Sequence, residues 1–287
     1  MIINKKIYDE LSQLETIPRN KKIWHQNMEG VRKSGIEYAM NNDELSEYVK
    51  CANSYEYFID KYCKINLYDF QKKVLKNYEE NRFNIWMKSR QCGSSHVNAL
   101  FVLYNLLFKR DFIVLMVSNK NMSNVDIIDK VKKYYKELPF FLKQGVSVWN
   151  NLSLIFENGS KIITPKLSDI IELIEPFAVS VIPDLILINE FASLSDVETI
   201  YSNIIPLITA DSKRKLIISS QPNGYNLFIK LVQGADNNTN MYKIVRTYWW
   251  EVPGRDEEWK NEQIKMIGLD SFTQEYELAF IVKNKKI

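Results

Sequence analysis

Four short apolar runs, at residues 83–87 (broken only by Asn84), 112–117, 185–188 and 216–218, set the strongest limit on how this chain can fold. A strand with one wet face alternates apolar and polar side chains; a strand covered on both faces does not. Runs such as Phe112-Ile-Val-Leu-Met-Val117 and Leu185-Ile-Leu-Ile188 therefore predict central strands of a parallel sheet. Helical candidates fall between and after them, at 95–108, 121–138, 196–207 and 225–233. That alternation predicts the α/β class, an open and mainly parallel sheet flanked by helices. Two stretches break the pattern. Segments 152–157 and 161–165 flank Asn158-Gly159, a hairpin signal. After Trp249-Trp250 a turn through Pro253-Gly254 leads to two helical stretches ending at Phe280.

Texture also divides the chain. Residues 1–60 are polar and helix-prone, with one break near Pro18; the alternating core runs from 61 to 250; a helical segment follows over 251–287, with the tail Lys283-Asn-Lys-Lys286 reading as a frayed end or a linker. Composition excludes several classes. Apolar residues at 46% and charged residues at 25% support a packed core rather than disorder. A net charge of +3 from 38 basic and 35 acidic side chains gives no bulk argument for nucleic-acid binding, so any basic surface is local. Three Cys and two His argue against a disulfide framework or a Cys/His zinc site and favour a reducing compartment. The N-terminus lacks the apolar core of a signal peptide, and no run reaches the ~18 apolar residues of a membrane span.

The chemistry concentrates where strands end. Asn84-Ile-Trp-Met-Lys-Ser-Arg-Gln-Cys-Gly-Ser-Ser-His96 reads as strand, turn and helix start, the layout of a phosphate-binding loop. Such a loop needs converging N–H groups, a cation and a hydroxyl for Mg²⁺. Gly93 permits the close approach and Ser95 stands where the hydroxyl belongs, but Ser94 occupies the position usual for Lys. Lys88 at the strand end and Arg90 inside the loop are the available cations. The loop alone favours a capped strand–helix turn, since a lone Gly-Ser-Ser is common; the other strand ends reverse that and favour a nucleotide site.

The strand from Asp184 ends in Asn189-Glu190. Nucleotide hydrolases often end this strand in Asp-Glu, the Asp on hydrated Mg²⁺ and the Glu activating water. Glu190 is present; Asn189 offers a neutral oxygen, which weakens metal binding. Asp184 lies roughly 16 Å back along the strand and is no substitute. Leu67-Tyr-Asp-Phe-Gln71 presents an amide able to pair with an adenine edge, although its aromatics alone read as helix packing. Leu216-Ile-Ile-Ser219-Ser220 ends a buried strand in hydroxyls before a Pro222-Asn-Gly turn, where they can sense a γ-phosphate or simply form the turn. Trp249-Trp250 reads as core, with base stacking as the alternative.

In this order the stretches resemble the ATPase domain of the large terminase subunit, the DNA-packaging motor of tailed phages, over about 55–280. The matching pieces are Leu67-Tyr-Asp-Phe-Gln-Lys, Lys88-Ser-Arg-Gln-Cys-Gly-Ser-Ser95, Leu187-Ile-Asn-Glu-Phe-Ala192, Ser219-Ser-Gln-Pro-Asn-Gly224 and the trailing Trp259 with Gln274-Glu-Tyr-Glu-Leu-Ala-Phe280. The resemblance implies a P-loop NTPase fold of the RecA/ASCE type with a small N-terminal helical subdomain. It implies nucleotide binding by Gln71, Lys88, Ser89, Arg90, Gln91, Cys92, Gly93, Ser94 and Ser95, with Gln71 on adenine and Lys88 as the lysine of a deviant loop. Glu190 takes the role of catalytic base, Arg90 that of a finger on the γ-phosphate, Ser219 and Ser220 that of coupling residues, and Ser95 and Asn189 that of Mg²⁺ ligands. The cofactors implied are ATP and Mg²⁺. The partners implied are double-stranded DNA, a portal ring, a small terminase subunit and further copies of the chain in a ring. The expected location is the host-cell cytoplasm, in a transient packaging complex without a membrane. Asn189 and Ser94 depart from the family pattern and bear on hydrolysis rate rather than fold. Large terminases also carry an acidic, RNase H-type nuclease; the chain ends at Ile287 before one, and no nuclease activity is expected of it. The competing expectations are a P-loop relative without turnover and a helicase-type ATPase, the latter requiring a second RecA-like domain.

Overall fold

The computed structural model describes residues 29–36, 38–119, 121–171 and 182–281. The break near Pro18, the first part of the helical segment expected over 1–60 and the tail from Lys283 lie outside the described residues. The strands, in chain order, are β1 (Phe83–Lys88), β2 (Ile113–Val117), β3 (Val146–Trp149), β4 (Ser153–Phe156), β5 (Lys161–Ile163), β6 (Leu185–Asn189), β7 (Lys215–Ser220) and β8 (Lys243–Thr247). The helices are α1 (Asn42–Asn53), α2 (Tyr55–Phe58), α3 (Asp69–Glu80), α4 (Ser94–Phe108), α5 (Asn121–Glu137), α6 (Leu167–Ile171), α7 (Val197–Thr209), α8 (Leu227–Asp236), α9 (Glu257–Ile267) and α10 (Leu269–Glu275). None among the described residues is long and apolar enough to cross a membrane.

The chain forms two compact units. One comprises Leu67–Asn98, Ile113–Asp126 and Ile163–Ile287. Its strands lie in the order β2-β6-β7-β1-β8, all parallel. Every residue of β1 and β6 is buried, as apolar runs covered on both faces require. Strand β8 has no counterpart among the strands expected from sequence. After exposed Lys243 it alternates part-exposed and buried positions at the end of this order, so one of its faces stays partly wet and no continuous apolar run announces it. The core joins Ile85, Met87, Leu115, Ile186, Ile188 and Ile218 to Ile200 and Ile204 of α7 and Phe228 of α8. The strand entering the loop and the strand ending at Glu190 are thus separated by β7, the parallel arrangement expected of a P-loop ASCE fold.

The other unit comprises Met1–Asn66, Ala99–Phe112 and Ile127–Ile162. Here α1 begins with a capping box, in which Asn41 accepts from the Glu44 N–H and Glu44 accepts from the Asn41 N–H. Phe58 packs against Tyr104 and Phe108, ring centroids 6.0 and 5.2 Å apart. The hairpin expected at Asn158-Gly159 is present between β4 and β5, with Gly159 at φ 84°. The Asn158 amide also donates to Leu106 O and Lys109 O, satisfying carbonyls at the end of α4. A second antiparallel pair, β3 with β4, turns through Asn150, whose side chain accepts from the Leu152 and Ser153 N–H groups.

Candidate functional site

Parallel pairing brings three strand ends into a row. Asn189 of β6 is in register with Ser219 of β7, and Ser220 of β7 with Met87 of β1. The carboxyl ends of β1, β7 and β6 therefore place Lys88-Ser89, Ser219-Ser220 and Asn189-Glu190 side by side, where open α/β sheets hold ligands. Beyond β1, Ser94 and Ser95 open α4.

Lys88 is only 3% exposed, and its Nζ donates to Glu190 Oε1 at 2.8 Å; the Glu190 side chain is 32% exposed. A buried ammonium needs a counter-charge. Glu190 supplies it from a left-handed backbone conformation, φ 58° and ψ 41°, which costs ~1–2 kcal/mol in a non-glycine residue. Neighbours hold it there. The Glu190 N–H donates to Ser219 O at 2.7 Å. Two residues on, the Ala192 N–H donates to Ser220 Oγ, and Ala192 O accepts from the Asn223 and Asn226 amides. Ser220 thereby ties the end of β7 to the turn that carries Glu190, a direct physical link between the proposed coupling residue and the proposed base.

The loop turns through two left-handed residues, Gln91 at φ 57° and Gly93 at φ 79°. Gln71, buried at the start of α3, braces it: Nε2 donates to Cys92 O at 3.1 Å, and Oε1 accepts from the Tyr68 N–H. One hydrogen and one lone pair of the Gln71 amide are thus occupied within the protein. A Cβ at Gly93 would stand 2.7 Å from Gln71 Nε2. Gly93→Ala combines that clash with a positive φ, and is expected to displace Gln71 and weaken ATP binding at least ~10-fold, ~1.4 kcal/mol; fluorescence titration of a labelled nucleotide measures it. Cys92 is buried, and burial pushes its thiol pKa up against the opposing pull of Lys88, Arg255 and the Ser94 and Cys92 N–H groups. It packs the loop as a neutral thiol.

Arg90 faces outward. Its side chain is 56% exposed and pairs with Glu275 at 2.7 Å, which raises its pKa. Its N–H donates to Glu275 O. Arg255 donates from its two terminal nitrogens to Arg90 O and Gln91 O, each at 3.0 Å. Neither Arg255 nor Glu275 is among the residues expected from sequence. Both belong to the segment containing α9 and α10, which packs around Trp249, Trp259, Phe272 and Tyr276. The adjacent Trp pair divides its work. Trp249 is buried in that cluster, whereas Trp250 is 55% exposed and stacks on Tyr248 with ring centroids 4.5 Å apart.

Three buried polar atoms at the strand ends, Ser89 Oγ, Asn189 Oδ1 and Ser219 Oγ, have no hydrogen-bond partner among the described residues. Each such atom costs ~1–3 kcal/mol unless a ligand or solvent satisfies it. Among the described residues no group of three His, Cys, Asp or Glu is placed to hold a metal. Mg²⁺ bound largely through phosphates and water needs only one or two protein oxygens, and the Asn189 oxygen fits that demand.

A family model described as terminase large subunit, T4likevirus-type, N-terminal, matches residues 85–287. The fold is similar to the large terminase ATPase domain of Thermus phage P74-26, with TM-score 0.63 and 16% identity over 79% of this chain and 98% of that one. It is similar to the HK97 bacteriophage large terminase, with TM-score 0.62 and 16% identity over 79% of this chain and 54% of that one. The large terminase of a thermophilic bacteriophage, in complex with ADP, gives TM-score 0.59 and 13% identity over 75% of this chain and 54% of that one. The chain thus spans about half the length of the HK97 protein and of the ADP-bound terminase, and nearly all of the isolated ATPase domain. With the family match covering more than half of its residues and the strand order carrying the loop and Glu190 together, the chain belongs to the terminase large subunit family and carries its N-terminal ATPase domain.

Proposed function

We propose that this domain binds and hydrolyses ATP with Mg²⁺ and couples turnover to movement of double-stranded DNA into a procapsid. The observation that carries the reading is the buried Lys88 ammonium held by Glu190 at the carboxyl ends of β1 and β6. A cation in a water-poor site interacts strongly with an arriving phosphate, and the same event frees the carboxylate to accept a proton from water. The loop amides and the start of α4 receive the phosphates. Ser95 and Asn189 would hold Mg²⁺, which offsets phosphate charge when bound. Arg90 reaches the γ-phosphate only by leaving Glu275. Ser220, through Ala192, relays the state of the Glu190 turn to β7. The portal ring, small terminase subunit, ring of further copies and host-cell cytoplasm belong to this reading as family expectations.

Calorimetric titration with ATP or ADP in the presence of Mg²⁺ tests it, and absence of heat with both overturns it. The neutral Asn189 favours a second reading, a nucleotide-binding relative without turnover. Phosphate release separates the two. If the domain turns over, Asn189→Asp is expected to lower the Mg²⁺ needed for half-maximal rate roughly 10-fold, since a contact with a charged group contributes ~1.5–3 kcal/mol. Activity that appears only in the Ser94→Lys, Asn189→Asp double variant supports the second reading.

A further inference from the structure

Peptide planarity turns three tethered carbonyls into a statement about where the loop N–H groups point. In a trans peptide the C=O and the following N–H are antiparallel, and no described peptide bond here is cis. Arg255 holds Arg90 O and Gln91 O, and Gln71 holds Cys92 O. The N–H groups of Gln91, Cys92 and Gly93 must each aim away from these tethers. Among the described residues none of the three donates to a backbone carbonyl. Left-handed Gln91 and Gly93 alternate with Cys92 between them, the kind of turn in which successive N–H groups make an anion-binding concavity.

Arg255 is suited to this task beyond its geometry. Its guanidinium lies 4.7 Å from the centroid of Trp259 and 5.7 Å from that of Tyr276. Among the described residues it has no carboxylate within ion-pair distance. A half-buried guanidinium fixed between rings, donating only to carbonyls, leaves its positive field to the loop rather than to a protein anion.

We propose that Arg255 is a positioning residue for phosphate binding: its fork fixes two consecutive peptides of the 88–95 loop so that their N–H groups face the phosphates. The inference rests on the nucleotide site proposed above and adds to it a residue from the C-terminal helical segment. Because only a planar fork reaches both carbonyls, charge alone does not replace it. Arg255→Lys, which keeps the charge, is expected to weaken binding of both ADP and inorganic pyrophosphate at least ~10-fold, with kcat at saturating ATP kept within about threefold. Amide exchange at Gln91, Cys92 and Gly93 is expected to quicken, with the melting temperature within a few degrees of the parent. Parent-like pyrophosphate affinity in a folded Arg255→Lys protein overturns the proposal. Should that variant not fold, Gln71→Leu removes the third tether from another element and is expected to weaken pyrophosphate binding as well; unchanged binding there overturns it. A parent protein that binds neither ADP nor pyrophosphate overturns instead the nucleotide site on which the inference rests.

Discussion

Glu190→Gln is expected to lower ATP hydrolysis by ~10²–10⁴-fold, the usual contribution of a general base, while binding ATP at least as tightly as the parent. The second half of the expectation comes from the ion pair. The Lys88 ammonium is held by Glu190 at 2.8 Å, so an incoming phosphate must take Lys88 from a carboxylate. Gln at this position has the same shape and a much weaker hold. The variant should therefore trap ATP, and single-turnover phosphate release beside equilibrium binding checks both halves. Loss of binding in a folded Glu190→Gln protein would show that the carboxylate supports the site rather than competes for it.

Removing the other partner is expected to act in the opposite direction on binding. Lys88→Met keeps the apolar stem and deletes the charge. ATP affinity should fall ~100-fold or more, since a buried cation facing a polyanion contributes at the upper end of charge-assisted contacts. Hydrolysis should fall with it. Stability should change less than the ~3–5 kcal/mol seen on breaking a fully buried pair, because the Glu190 side chain remains 32% exposed and can be solvated. Thermal melting together with nucleotide titration separates the two effects. A Lys88→Met protein that binds ATP normally would move the cationic role to Arg90 or Arg255.

The legible part of the fold follows from how strands are covered. Strands buried on both faces are mainly apolar, so β1, β2, β6 and β7 stand out as runs that turn polar at their ends. Edge-type β8 alternates and escapes notice for the same reason. Asn158-Gly159 is readable because a positive φ at Gly159 favours that residue locally. At the site, the strand ends carrying Lys88, Asn189, Glu190, Ser219 and Ser220 are visible in the chain, since polar residues closing an apolar run are conspicuous. What each side chain does there is less readable. Gln71 offers an amide in either setting, but only the folded loop shows it holding Cys92 O. Arg90 reads as a free cation in the chain, yet pairs with Glu275, 185 positions away.

Sequence by itself determined the α/β class, the loop, its missing lysine at Ser94 and the neutral Asn189 beside Glu190, because these are properties of short segments and of what burial demands of them. Tertiary structure alone decided that Lys88 meets Glu190 across 102 positions, and that Arg255 grips the loop from 165 and 164 positions beyond. Those contacts have no local signature. They exist because parallel pairing aligns distant strand ends, and because packing of Trp249, Trp259, Phe272 and Tyr276 holds the segment that presents Arg255 and Glu275.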